Sequence, residues 1–424
     1  MSFLGPAGLS LIVRRSLRRH ALSTTVTVLS VALAAGLTMA VFALQSQTHK
    51  AFTGGPVGFD AVLGARGSKL QLVLNSVFHL ETSPGNLPWA FYDAMKKDRR
   101  RVALALPMAV GDNYQGYRIV GTTDEIFTKF EYQAGKTFEI EEGGRYFDSE
   151  KNEAVIGSVV AERTGLKLGD IFQPYHGLVY DESMIHQDDY VVVGIKKPTN
   201  SPSDRVIWIP IEGVYRMSGH VLRGSGEAYE PQDGEAIPME HREVSAVMLK
   251  FRSPQAGFSL DQTVNKQGTA ATLAWPIGNV MAELFEKLGW MSKVLAIVAY
   301  LVVFVTAGSI LASIYNTMNE RRREFAILRA LGARRRVVFS AIVLEAAAIG
   351  FLGCLLGFLA YLAISVVTAS IIRTQTGVVL DPFSYHPVLL WGPLGIVALA
   401  ALAGVIPALK GYATDVASNL QPHS

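Results

Sequence analysis

The sequence predicts a membrane protein with four transmembrane α-helices and a large α+β extracytoplasmic domain between helices one and two. Three observations lead there. Half of the 424 residues are apolar and the mean hydropathy is positive, too much for an ordinary soluble chain and too little for one buried wholly in lipid. The apolar residues gather in one run near the N-terminus and three in the last third, with a polar stretch between them. Arginines concentrate in two short segments bordering those runs, while the formal net charge is only +3. The charge therefore speaks to topology rather than to nucleic acid.

Residues 1–20 form a basic N-terminus, with Arg14, Arg15, Arg18 and Arg19 just before the first run. Residues 21–44 are uncharged; at ~1.5 Å per residue they can cross a hydrocarbon core ~30 Å thick. A cleaved signal peptide is the rival reading. It would have a shorter apolar core and small residues at a cut site, whereas Phe42, Ala43, Leu44 and Gln45 offer a poor one. An uncleaved span is expected.

Residues 45–289 mix charges of both signs, Gly, Pro and short β-rich pieces, long enough for one large or two small domains. Strands are expected at 59–63, 117–120, 154–156, 190–195, 206–210 and 244–251, and helices at 70–78, 88–97, 159–165 and 277–287. Their irregular interleaving favours α+β over a doubly wound sheet. Residues 219–240, rich in Gly, Glu and Pro, read as a mobile loop or an insertion.

The second span is expected at 290–315, the third at 337–372 and the fourth at 388–409, with 373–387 as a loop and 410–424 as a tail. Gly353 and Gly357 make a G-x-x-x-G within the third, which lets another helix approach closely. Cys354, the one cysteine, sits beside them, so no disulfide framework and no Cys-based metal site can form within the chain. Between the second and third runs, residues 320–336 read E-R-R-R-E-F-A-I-L-R-A-L-G-A-R-R-R, with seven arginines. Four arginines precede the first run, and Arg373 alone lies between the third and fourth. The N-terminus, the loop 316–336 and the tail are then cytoplasmic, and the large domain is outside. Within that basic segment Phe325, Leu328 and Leu331 recur at helical spacing, and Gly332 stands where a left-handed cap would end the helix.

This layout, together with R-R-R-E-F-A-I-L-R-A-L-G-A, resembles the FtsX/MacB/LolC-type permeases of ABC transporters over nearly the whole chain. G-G-R-Y-F at 143–147, N-E-A-V-I-G at 152–157 and T-G-L-K-L-G-D at 164–170 are similar to that family's MacB-like extracytoplasmic core. The tail I-P-A-L-K-G-Y-A-T-D-V-A-S-N-L at 406–420 is likewise similar to that family's C-terminal end. The resemblance implies a plasma (inner) membrane protein with its large domain in the periplasm. It also implies that residues 316–336 hold a coupling helix seated in a groove of a cytosolic ABC ATPase subunit. Glu324, Phe325, Leu328, Arg329, Ala330, Leu331 and Gly332 would form that contact. Glu345 matches a family glutamate; a carboxylate at its depth should face protein, with Arg334 to Arg336 as its expected partners.

The implied activity is mechanotransmission. The partner ATPase, holding ATP and Mg, drives motion of the outer domains of a permease dimer, of identical or different copies, and so serves extrusion or the handling of a lipoprotein or other periplasmic cargo. The alternative is an FtsX-like regulatory subunit that activates a periplasmic enzyme without transporting cargo. Membrane lipid is an expected partner and nucleic acid is not. The stretch 59–80 with P-G-N at 84–86 looks like a branch of these permeases. There Arg66 and Lys69, on a Gly-rich turn before a helix, are candidate contacts for a periplasmic partner, against the simpler reading of a solvated turn.

No enzyme activity and no cofactor are expected of this chain. Gly135-Lys136-Thr137 copies the end of a phosphate-binding loop, but Phe130 stands where the first glycine is needed. Neither H-E-x-x-H nor G-x-S-x-G occurs. His176, His186, Asp188 and Asp189, with His220, His241 and Glu243 farther on, are residue types that ligate metals. Scattered surface polarity explains them more simply, and no metal site is expected.

Overall fold

The computed structural model describes residues 6–54, 58–177, 181–217, 220–232 and 236–413. It falls into two compact units: Met1–Thr48, Leu288–Ala369 and Asp381–Ser424 form one, His49–Lys287 and Ser370–Leu380 the other. Most of the expected tail 410–424 lies outside the described residues.

The first unit is helical. Among the described residues, four helices are long and apolar enough to cross a membrane: Ala21–Gly54, Gly289–Glu320, Arg335–Thr376 and the segment Val388–Lys410 of the helix Val388–Ala413. Each begins within two residues of the expected start, but the first runs ten residues past 44 and the third begins with Arg335. The last continues through Pro393 and Pro407 rather than breaking there, as intramembrane prolines can when neighbouring groups satisfy the freed carbonyls. The first helix forms the middle of the unit: 61% of its most apolar window is buried, against 17% for each of the others. Val31, Ala35, Met39 and Ala43 from it pack with Ile310, Ile314, Ile342, Ile349 and Ala400. Leu295, Phe304, Val305, Leu359 and Leu402 instead point outward, the apolar exterior of a bundle whose solvent is lipid.

Small residues set the spacing. A Cβ at Gly353 would lie 2.4 Å from the Cβ of Val31, and one at Gly357 2.8 Å from that of Ala35. The third helix therefore meets the first nearly backbone to backbone, as small-xxx-small faces allow.

The second unit is built on a mixed sheet. Across it run Ala271–Ala274, Ala61–Ala65, Ala246–Phe251, Val102–Tyr114, Tyr117–Thr122, Ile207–Pro210, Glu153–Ile156, Tyr190–Ile195 and Ile171–Phe172, with Tyr175–His176 also paired to the long strand Val102–Tyr114. Two neighbouring pairs are parallel, Tyr117–Thr122 with Ile207–Pro210 and Glu153–Ile156 with Tyr190–Ile195; the others are antiparallel. Leu63, Ile119, Ile156, Tyr190, Ile207 and Leu249 form part of its core.

Six of these strands coincide with expected ones, and the helices Lys69–Ser76, Trp89–Lys97, Ser158–Thr164 and Ile277–Lys287 overlap the four expected helices. The long strand Val102–Tyr114 was not foreseen. Its sequence, V-A-L-A-L-P-M-A-V-G-D-N-Y, is poor in β-branched residues and holds a Pro and a Gly. Pairing on both edges overrides that weak propensity. It turns into Tyr117–Thr122 through Gln115 and Gly116, both at positive φ, a two-residue hairpin turn matched to strand twist.

The expectation of a mobile loop over 219–240 is corrected for its described residues. Leu222 and Ile237 are buried in the core, Leu222 and Tyr229 exchange backbone hydrogen bonds, and Tyr229 stacks on His241 at 4.4 Å. Two apolar anchors in a polar stretch are too sparse to register as periodicity.

Candidate functional site

The basic segment folds into the short helix Arg322–Ala330. Gly332 adopts φ +98°, its N–H bonds the Arg329 carbonyl, and the Ala333 N–H bonds that of Leu328. This paired pattern is the Schellman cap, which glycine permits because it has no Cβ. The apolar stripe is not one exposed face. Phe325 and Ala326 are buried, and Leu328 packs partly on the helical core. Ile327 and Leu331 point outward, at 44% and 80% exposure, beside exposed Ala330 and Gly332. The outward apolar pair is therefore Ile327–Leu331, spaced i, i+4, and Ile327 was not among the expected contact residues. Arg323, Arg334, Arg335 and Arg336 are exposed around it.

The partner expected for Glu345 is corrected. Arg321, not Arg334 to Arg336, pairs with it, Nη1 to Oε2 at 3.2 Å, with each side chain 9% exposed. Arg336 lies nine residues before Glu345 on one helix, about 13.5 Å along its axis. Arg321, at the junction of two helices, folds back onto the carboxylate. Its Nη1 also donates to Ser16 Oγ at 2.6 Å, Ser16 Oγ donates to Glu345 Oε1, and the guanidinium lies 4.9 Å from the Phe325 ring centroid. Glu324 is drawn into the same network, paired with Arg19 and, at 3.3 Å, with Arg321. Thus Pro6–Arg19, the short helix and the third apolar helix share one polar knot, buried at Ser16, Arg321 and Glu345. Arg19 and Ser16 carried no sequence signal for this, since the contacts span 305 and 329 residues.

In the sheet unit, Arg66 and Lys69 serve the domain itself. Arg66 Nη1 donates to the Ala271 carbonyl at 3.2 Å, and Lys69 Nζ pairs with Asp261 at 3.2 Å. Ser68 caps the following helix by accepting from the Gln71 N–H. The turn is thereby fastened to the edge strand.

Three of the histidines converge, contrary to the expectation of scattered polarity. His176, His186 and His220 surround Asp112, and their ligand-type atoms all lie within 4.8 Å of one another. Asp112 is 1% exposed. Burial would raise its pKa, but hydrogen bonds with His176 and His186, with His220 close by, outweigh that and hold the carboxyl well below its ordinary value. Asp188, Asp189, His241 and Glu243 stay outside this group: Asp189 accepts from Gln173, and Glu243 from Asn86 and the Arg223 N–H. Asp112 escaped notice in the sequence. Its one signal was a lone carboxylate in an otherwise apolar stretch, a residue type seldom buried unless paired.

The "FtsX-like permease C-terminal" profile matches residues 296–416, and the "MacB-like periplasmic core domain" profile matches 21–266, more than half of the chain. Among curated proteins, the chain is similar to the macrolide export ATP-binding/permease protein MacB of Bdellovibrio bacteriovorus. That match is 25% identical over 66% of this chain and 40% of that protein. It is similar also to an uncharacterized ABC transporter permease of Methanocaldococcus jannaschii, 26% identical over 65% of this chain and 62% of that one. The permease YtrF of Bacillus subtilis matches at 28% over 30% and 31%. The chain thus spans less than two thirds of the length of each of these relatives. Apolar helices around a sheet-rich insert, the capped basic helix and both profiles agree: the chain belongs to the FtsX/MacB-type family of ABC transporter permeases.

Proposed function

We propose that this chain is the membrane subunit of an ABC transporter in which a separate cytosolic ATPase drives motion of the outer domain to move a periplasmic cargo. The observation that carries the reading is the short helix Arg322–Ala330. Ile327 and, just past its end, Leu331 point outward amid arginines, while Phe325 packs into the helical core and Arg321, just before the helix, pairs with Glu345 of the third apolar helix. Such a helix can fill an apolar groove with two side chains, pair with acids at the rim, and pass displacement directly to a span. No phosphate-cradling motif is present in the sequence, so ATP and Mg belong to the partner, and this chain acts without enzymatic chemistry of its own.

In this reading all four apolar helices cross the inner membrane, with residues 1–20 and 316–336 in the cytoplasm and the sheet domain in the periplasm. Two independent features support that layout. Arginine is abundant at the proposed cytoplasmic ends. Ser370–Leu380, between the third and fourth helices, belongs to the same compact unit as the sheet domain, where Arg373 pairs with Glu162 at 3.1 Å. A second permease copy completes the assembly, identical or paralogous.

The test is co-purification. Ile327→Asp with Leu331→Asp should remove about 3 kcal/mol or more of contact, roughly a hundredfold in affinity. All arginines are kept, so membrane level should stay normal while the ATPase is lost. Retention of the ATPase by this variant would overturn the docking reading. Capture of a hydrolase rather than a lipoprotein by the full-length wild type would replace transport with regulation.

A further inference from the structure

We infer that Asp112, His176, His186 and His220 form a binding site for one borderline divalent transition-metal ion, Zn²⁺ fitting best, in the sheet domain. The site goes beyond the proposed transport role and does not depend on it.

Local structure aims all four residues at one point. Opposite the two-residue step Arg118–Val120, the long strand holds one residue too many between Val110 and Asn113. Bulges of this kind re-aim side chains, and this one carries Gly111 and Asp112. His176 pairs directly across from Asp112 on the short strand. His186 follows the 3-10 turn Glu182–Met184, which Asp181 caps through the Ser183 N–H, and its own N–H bonds the Pro174 carbonyl at 2.8 Å. His220 arrives from beyond the helix Ile211–Arg216. The three rings stand 5.4–6.2 Å apart, centroid to centroid.

Geometry and chemistry then narrow the ligand. Asp112 Oδ1 lies 3.1 Å from His176 Nδ1 and 3.2 Å from His186 Nε2, its Oδ2 lies 3.3 Å from His220 Nε2, and the ligand atoms all fall within 4.8 Å of one another. Ligands at Zn–N and Zn–O distances of about 2.0–2.1 Å in a tetrahedron stand about 3.3 Å apart. Hydrogen bonding within the group does not account for all of it. His220 Nε2 is sealed from solvent and lies 3.3 Å from Asp112 Oδ2 without the alignment of a hydrogen bond, an arrangement that costs free energy unless an ion between them takes both lone pairs. Three imidazoles and one carboxylate suit zinc and its neighbours rather than the oxygen-seeking Mg²⁺ or Ca²⁺. Four protein ligands also leave no open position, so the ion would be held rather than used to activate water. It would tie His176, His186 and His220 to the central strand.

The experiment uses the full-length chain in detergent, stripped with a chelator and then equilibrated with Zn²⁺ or Co²⁺. Elemental analysis should find one Zn²⁺ per chain, Co²⁺ should give the intense visible bands of a tetrahedral site, and Zn²⁺ should raise the thermal midpoint. Asp112→Asn and His186→Gln should each weaken binding more than tenfold. Because both residues are buried, His176→Ala and His220→Ala are the safer variants: each should lower affinity more than tenfold while the metal-free midpoint stays within a degree or two of wild type. Failure of the folded wild type to hold zinc, or equal binding by the His176→Ala/His220→Ala double variant, would overturn the site.

Discussion

Each unit of the molecule buries an ion pair, and the two are built differently. In the sheet domain, Lys196 and Asp204 are 0% and 3% exposed and meet at 2.9 Å. Their hydrogen-bond partners are local: Asp204 also accepts from the N–H groups of Thr199 and Asn200, and Lys196 donates to Ser203, while its ammonium sits 4.0 Å over the ring of the more distant Phe138. In the helical unit, Arg321 and Glu345 are joined by Ser16 and Glu324, residues from three separate parts of the chain. The local pair closes one loop on itself, whereas the long-range pair ties three segments to one another. A buried pair is weak evidence for stability; what matters here is which elements it ties.

The sharpest way to break this contrast is Glu345→Leu. It leaves Arg321 charged, buried and unpaired, and should destabilise the full-length chain by about 3–5 kcal/mol, read as a lowered thermal midpoint. Arg321→Met combined with Glu345→Leu should recover most of that loss, because an apolar pair needs no compensation. If the knot transmits motion, the recovered double variant should still bind the ATPase yet fail to couple hydrolysis to cargo movement. Full coupling in that variant would reduce the knot to a packing feature.

Asp204→Asn should cost less, about 2–3 kcal/mol at pH 7, because lysine can escape by shedding its proton. Burial already lowers Lys196 to about 8, against the opposing pull of Asp204. Between about 8 and the ordinary value near 10.5, the unfolded chain therefore holds more protons than the folded one. Wild-type stability should rise with pH across that window, by up to ~1.4 kcal/mol per unit for this group. A midpoint that falls there, after allowance for other groups, would contradict the buried state of Lys196.

His79 acts at the acid end. Its Nδ1 is sealed without a partner; burial, with Arg118, Arg205 and Lys196 nearby, lowers its pKa to about 3. The unfolded chain takes up the proton first, so stability should fall as pH drops from about 6.5 toward 3, by up to ~1.4 kcal/mol per unit. His79→Asn, suited to the positive φ there, should flatten that limb. The smallest change is Gly332→Ala, which forces a Cβ into φ +98° and should cost about 1–2 kcal/mol in the helical unit; an unchanged midpoint would mean the cap is dispensable.

The sequence by itself determined whatever depends on runs and local spacing. Four apolar stretches, the arginine asymmetry, the glycine cap at Gly332 and most strands of the sheet are properties of neighbours along the chain. Hydrophobic length and periodicity register them directly. Tertiary structure alone decided which side of the short helix is free. Phe325 and Leu331 look alike in a periodic pattern, yet one packs on the bundle and the other points outward. It alone supplied Arg321 as the partner of Glu345 and placed Asp112 among three histidines, because those meetings join residues from 24 to more than 100 positions apart. Sequence spacing sets a residue's face within its own element, but what crosses the gap to meet it follows from how whole elements pack.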